Sequence, residues 1–429
     1  MNLFKEQQLG DHVNIHMYNT NKFKTTALCF YINDNLDENA ALNALLPRIL
    51  KSGSNTYKNS TIISEYLEEL YGASFGVDII KKGEVQSILF YLQFVEGQYV
   101  KDILMFKKAI DFICDIVLNP IIENNSFKEE YVVTEKKILE DMIASRKNDK
   151  IQYAVERCMQ ISCKGTPFEI YKYGEPYMLE KINASNLYEH YRKILRENPI
   201  DIYIAGSVSE EEALSYIKER FVINRENIEN IRDLNMQNET REKQLLHETM
   251  DINQGKLCLG YRTNMSFAHE NFPALSVYTG ILGGGMNSKL FLNMREKENL
   301  AYYAYSGIEK FKGLLLVNCG IEVENYERSV NIIEEQVEDM RKGNITDSEI
   351  DNSIKKIMSD LKTINDNVPL MIDYNLGGML YGKEIVPEDM MKKVEKVKKE
   401  DIIEAAQGIK LDTIFFLSSK DKERKYEYH

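Results

Sequence analysis

Apolar residues recur along this chain in two rhythms, and the order in which the rhythms alternate repeats. Residues 25–35, TTALCFYINDN, crowd β-branched and aromatic side chains into a short run that reads as a strand. Residues 255–264, GKLCLGYRTN, read the same way, and the two runs share a Leu-Cys pair, Leu28-Cys29 and Leu257-Cys258. A helical segment opening on Glu-Asn follows each run, at Glu38-Asn39 and Glu270-Asn271. In the first, Leu42, Leu45, Leu46, Ile49 and Leu50 fall at the spacing of one helix face. Both segments reach Ile-Leu and stop in small residues, Ser52-Gly53-Ser54 and Gly283-Gly284-Gly285. A second helix is expected near Ile62–Leu70 and near Lys289–Lys297. Strand pairs are expected at Ser74–Ile80 with Ser87–Phe94, and at Ala301–Ser306 with Gly313–Ile321. Longer helices follow near Val100–Leu118 and Tyr326–Arg341, and each half closes on an apolar strand, Ile200–Ala205 and Thr413–Leu417. The pattern predicts an α+β fold of two similar halves, each a largely antiparallel sheet covered by helices. Boundaries follow at 1–223 for the first half, 224–250 for a polar linker and 251–429 for the second half.

Composition narrows the classes. The chain has 429 residues, enough for two to four domains. A net charge of −13 lacks the basic footprint that phosphates require, so nucleic-acid binding is not expected. No apolar run is long enough to span a bilayer, and the N-terminal MNLFKEQQLGDHVNIH has no apolar leader region. A soluble cytoplasmic protein is expected. The six cysteines, Cys29, Cys114, Cys158, Cys163, Cys258 and Cys319, sit mostly in apolar runs and match no zinc or redox spacing, so buried free thiols are expected. His12 and His16 are four apart, but DHVNIHMYN alternates like a strand, which separates them by about 13 Å. They are not expected to share a metal. His429 is read as a tail residue.

Gly283–Ser306, GGGMNSKLFLNMREKENLAYYAYS, resembles the second-half signature of the pitrilysin–insulinase–processing-peptidase family. Lys164–Glu175, Asp201–Val208 and Asn375–Gly382 resemble other family segments along the chain. The resemblance implies paired α+β domains in each half, arranged as a clam shell around an unfolded peptide. In active members the first helix of the first half carries H-x-x-E-H. Two His at i and i+4 share a helix face and bind zinc, and the Glu activates the zinc-bound water. Here the equivalent helix reads Ala44-Leu45-Leu46-Pro47-Arg48. Ala44 and Arg48 stand at the His positions and Pro47 at the general-base position. Alanine and proline offer no ligand or base, and a protonated guanidinium does not coordinate a cation. Proline inside a helix costs about 3 kcal/mol, and a kink or restart is expected there. Glu135–Met142 resembles the helix carrying the third ligand, with Asp141 in that position and Glu140 as the other choice.

The second-half pair is kept. By resemblance, Arg295 and Tyr302 contact substrate and steady the transition state, since both donate to a peptide carbonyl or its developing oxyanion. Read from the residues alone, Arg295 pairs with Glu298 or a carbonyl and Tyr302 packs among other tyrosines. The glycine run is read as a helix C-terminus, not a phosphate loop. Three functions stay open. The first is a non-catalytic subunit that holds peptide, contributes Arg295 and Tyr302 in trans, and takes zinc only from a zinc-bearing paralogue partner. The second is a peptide-binding or scaffold homodimer without hydrolytic role. The third is an autonomous metallopeptidase.

Overall fold

The computed structural model describes residues 3–10, 12–231, 242–380, 382 and 385–419. His429 and part of the expected linker lie outside the described residues. The chain forms two compact units, residues 1–145 with 170–233, and residues 146–169 with 234–429.

The first unit is built on strands β1 (Lys5–Gly10), β2 (Val13–Asn19), β3 (Thr25–Asn35), β4 (Ser74–Lys82) and β5 (Val85–Val95). Helices α1 (Ala40–Ser52) and α2 (Ser60–Glu69) lie between β3 and β4. After β5 come the single turn α3 (Gly97–Val100), α4 (Met105–Leu118), the small hairpin β6 (Ile122–Glu123) and β7 (Ser126–Phe127), and α5 (Glu129–Ser145). The helix that follows, α6 (Lys150–Ser162), belongs to the other unit. The first unit resumes with α7 (Pro176–Glu180), α8 (Ala184–Glu197), β8 (Ile200–Gly206) and α9 (Glu210–Arg220). The sheet runs β1-β2-β8-β3-β5-β4, with β2 and β8 parallel and the other neighbours antiparallel. Alternation along the strands sends Val13, Ile15 and Met17, Leu28, Phe30 and Ile32, and Ile88, Phe90 and Leu92 into one core, where Leu45, Leu46, Ile49 and Leu50 of α1 meet them. The helix expected from Val100 is split: Lys101 at φ +56° ends α3, and α4 starts at Met105.

The second unit repeats this plan. Its strands are β9 (Gln244–Met250), β10 (Gly255–Arg262), β11 (Ala301–Glu309), β12 (Leu314–Ile321) and β13 (Lys410–Ser419), in the order β11-β12-β10-β13-β9. Read backwards, this order matches β2-β8-β3-β5-β4, and the parallel pair again falls at one end, between β9 and β13. The helices are α10 (Phe272–Gly283), α11 (Tyr326–Arg341), α12 (Asp347–Ile364), α13 (Val368–Met379), α14 (Pro387–Val394) and α15 (Lys399–Gln407). The last residues of the expected linker therefore form a strand, since Gln244–Met250 pairs along β13.

Residues 146–169 lie inside the first half of the sequence yet pack in the second unit. Helix α6 covers the face of the second sheet opposite its main core. Tyr153, Ala154 and Cys158 meet Cys258, Leu316, Phe415 and Leu417 there. Arg157 Nε stands 2.8 Å from Glu248 Oε1, and the Tyr153 hydroxyl donates to Glu248 Oε2 over 2.7 Å.

All six cysteines are buried, and none is joined in a disulfide. Burial pushes the thiols of Cys114 and Cys319 up to about 12, which removes them as nucleophiles at neutral pH.

Candidate functional site

Helix α1 holds Ala44, Pro47 and Arg48, the residues that the family resemblance sets at the zinc-motif positions, and a buried polar network sets its place. Asn43 interrupts an otherwise apolar helix face and is fully buried. Its Nδ2 donates to Asp34 Oδ2 over 2.8 Å and to Gln86 Oε1 over 2.9 Å. That leaves Asn43 Oδ1 as the acceptor for His190 Nε2–H at 2.6 Å. Gln86 Nε2 in turn donates to Ala40 O and Lys172 O. The network ties α1 to β3, β5, α8 and the loop before α7. Burial holds the His190 imidazole down at about 4, so it is neutral, and lifts the Asp34 carboxyl above its usual range. Gly174, at φ +76°, lets that loop touch α1, because a Cβ there would stand 2.7 Å from Ala41 Cβ.

Ala44 is 2% exposed and packs in the core, and Pro47 is buried. Helix α1 runs through Pro47 to Ser52, so of the expected kink or restart the restart does not occur. The missing N–H is the one that would bond the carbonyl of Asn43, so a single ladder bond is lost inside a helix fixed on all sides by packing. Arg48 reaches across to α5. Its Nη2 lies 2.8 Å from Glu135 Oε2, with the two side chains 24% and 18% exposed. Its Nη1 lies 3.3 Å from Met142 Sδ, and Ser52 Oγ is 3.4 Å from Glu135 Oε1.

Glu135 is thus the carboxylate that α5 presents to α1. Asp141 is 68% exposed and bonds Lys137 Nζ at 3.0 Å, and Glu140 lies 3.7 Å from the same ammonium. Neither is brought to the motif positions. Sequence reading passed over Glu135, although the signal was there. Val132, Glu135, Leu139 and Ile143 follow helical spacing, and Val132, Leu139 and Ile143 are the buried residues of α5. Asp141 sits two residues past Leu139, on the other side of the helix.

A metal site at these positions does not fit the residues present. The donor set is a methyl group, a pyrrolidine ring and a guanidinium that carries its own positive charge beside Glu135. Among the described residues, no group of three or more His, Cys, Asp or Glu could hold a metal ion. His16 lies in β2 as the alternation predicts, stacked on Tyr203, with Nε2 2.7 Å from Asp201 Oδ1.

The second-half segment is built differently. Helix α10 ends at Gly283, and the backbones of α10 and β11 come so close that a Cβ on Gly283 would stand 2.4 Å from Ser306 N. The next helix, expected near Lys289–Lys297, winds as a π-helix over Phe291–Lys297, with Glu298 N–H bonding Asn293 O. Arg295 sits on this turn, half exposed, its Cζ 5.0 Å from the Phe291 ring and its Nε 4.0 Å from Glu296 Oε1. Its partner is not Glu298, which pairs with Arg328. The register of β11 against β12 slips between Ala301 and Tyr303, so Tyr302 is the extra residue of a bulge. The bulge turns Tyr302 outward: it is 63% exposed, with its hydroxyl 3.3 Å from Glu322 Oε1. Tyr303, not Tyr302, joins the tyrosine packing, stacked on Tyr305.

Residues 181–357 match the family described as Peptidase M16 inactive domain. A probable inactive metalloprotease of Bacillus subtilis, YmfF, is 35% identical over 413 residues, 95% of this chain and 96% of its own length. An uncharacterized zinc protease of the same organism, YmxG, is 24% identical over 68% of this chain and 70% of its own. Among solved structures, a conserved protein from Enterococcus faecalis V583 superposes with a TM-score of 0.90 at 30% identity, covering 98% of this chain and 100% of that one. A peptidase M16 inactive domain from Pseudomonas fluorescens, at 17% identity, shares the fold with a TM-score of 0.76 over 97% and 98% of the two chains. The family resemblance read from Gly283–Ser306 is borne out by these relatives, one of which is described as inactive.

Proposed function

This chain belongs to the peptidase M16 family, beside members described as inactive, and from that premise we propose that it is a peptide-holding, non-hydrolysing subunit working with a zinc-bearing relative. The observation that carries the reading is the contrast within the chain. Arg48 and Glu135 close the first-half motif by pairing with each other, while the second half presents Tyr302 to solvent on a bulge. A residue kept only for packing would not be turned outward. In this reading the partner supplies zinc and general base. Arg295 and Tyr302 donate hydrogen bonds to the carbonyl of the scissile peptide bond and to the oxyanion that develops from it.

Peptide is held by main-chain hydrogen bonds along β4, which pairs with β5 on one side and is the outermost strand of its sheet. Among the described residues, no helix is long and apolar enough to cross a membrane. Six buried cysteines outside any disulfide fit a reducing cytoplasmic setting.

The test is reconstitution. The chain is mixed with a zinc-bearing relative from the same cell and peptide hydrolysis is followed. Activity that appears only in the mixture, and drops on the order of tenfold or more with Arg295→Ala or Tyr302→Phe, supports the reading. Activity untouched by both substitutions points to a scaffold, and the absence of any complex with such a relative sinks the proposal.

A further inference from the structure

The pair that fills the emptied motif leaves a pocket beside it. A cavity of about 220 Å³ is lined by Arg48, Lys51, Ser52, Ser60, Val77 and Glu135. Extending the peptide-holding reading, we propose that this pocket binds a carboxylate of the peptide that lies along β4, with Arg48 and Lys51 as its cations.

Four observations converge on an anion of that size. The pocket carries two positive side chains against one carboxylate in a protein whose net charge is −13. Glu135 is already engaged by Arg48 Nη2 and lies near Ser52 Oγ, so it does not neutralise Lys51 as well. Arg48 Nε is buried and has no hydrogen-bond partner, so this guanidinium keeps an unused donor. Ser60 opens α2, and the first turn of α2 contains no acidic residue, so the helix end adds positive potential to the same space. The volume lies below the range of roughly 300–1,000 Å³ usual for small-molecule pockets, which suits one side chain or one chain end. Val77 belongs to β4, so the cavity opens against the strand along which the peptide is proposed to run. Its methyls offer an apolar wall to the methylenes that carry a carboxylate.

A Glu or Asp side chain and a peptide C-terminus present the same chemistry. Four labelled peptides of one extended sequence separate them: Gln or Glu at one central position, each with a C-terminal amide or acid. Binding to the full chain is read by fluorescence anisotropy. The expected result is that at least one carboxylate form binds about tenfold tighter than the neutral amide, a factor in keeping with one charge-assisted contact. The advantage shrinks as salt is raised. Preference for the Glu amide assigns a side chain, and preference for the Gln acid assigns the chain end. Lys51→Ala reduces the advantage. Glu135→Gln increases it, because Arg48 then has no competing carboxylate, an effect that a merely destabilised pocket would not give. Equal binding of all four peptides overturns the carboxylate pocket and leaves the peptide-holding reading standing. Binding of none overturns both. An advantage that survives both Lys51→Ala and Arg48→Gln places the carboxylate elsewhere and overturns the assignment.

Discussion

The two motif regions of this chain have met opposite fates. On α1 the polar residues that remain turn inward or sideways: Asn43 into a buried network, Arg48 onto Glu135. On the π-helix and β11 they turn outward: Arg295 half exposed and Tyr302 on its bulge. A metal centre organises a helix face by tying several side chains to one cation. Without it, the face needs another source of order. Here the hydrogen bonds of Asn43 fix the helix, and the guanidinium of Arg48 supplies a positive charge next to a carboxylate on the facing helix. The second region needs no such replacement, because π-helix and bulge geometry come from the backbone and survive without a ligand.

If the buried network orders α1, breaking it has the largest effect. Asn43→Leu keeps the branched outline of the side chain but leaves His190 Nε2–H, Asp34 Oδ2 and Gln86 Oε1 each one partner short inside the core. The expected loss is about 3 kcal/mol in urea unfolding. A loss under about 1 kcal/mol would mean that apolar packing alone holds the helix.

The same network predicts a pH dependence. His190 has its folded pKa depressed from the usual 6.5 to about 4 by burial. It therefore adds stability above pH 6.5 that is lost as pH falls toward 4, because only the unfolded chain takes up the proton in that window. The whole shift corresponds to about 3 kcal/mol. Stability measured across that window, in the native chain and in His190→Asn, should differ in slope. Parallel curves would show that His190 does not titrate on unfolding.

A smaller effect is expected from the ion pair. Arg48→Ala strands a carboxylate that is only partly screened and should cost about 1–2 kcal/mol, while the Arg48→Ala/Glu135→Ala cycle should give a coupling near 1 kcal/mol. A coupling of zero would remove the charge-replacement account. In the second region, Tyr302→Phe removes an exposed hydroxyl and should change stability by less than about 0.5 kcal/mol. A large loss there would make Tyr302 a structural residue, and the contrast between the regions would fail.

Much of this was legible in the sequence. The run TTALCFYINDN is β3 to the residue, and Tyr326–Arg341 is α11. The internal repeat holds down to sheet order. What escaped reading depends on partners distant in sequence. QLLHETM looks like linker because a short edge strand has few apolar residues, and only its pairing with β13 makes it a strand. Nothing in KIQYAVERCMQIS says which sheet α6 will cover. Motif register sets the third-ligand position at Asp141, whereas the burial stripe Val132, Leu139 and Ile143 marks Glu135's side of α5 as the one that meets α1. The helix does not restart at Pro47, because packing around α1 outweighs one missing hydrogen bond.

The central claim is that Ala44, Pro47 and Arg48 leave this chain unable to assemble a zinc peptidase centre of its own. Its most direct test is the metal content of the purified chain, measured alongside its hydrolysis of an unfolded peptide. The account predicts zinc far below one equivalent and no hydrolysis above background by the chain alone. One equivalent of zinc together with peptidase activity that a chelator abolishes would contradict it.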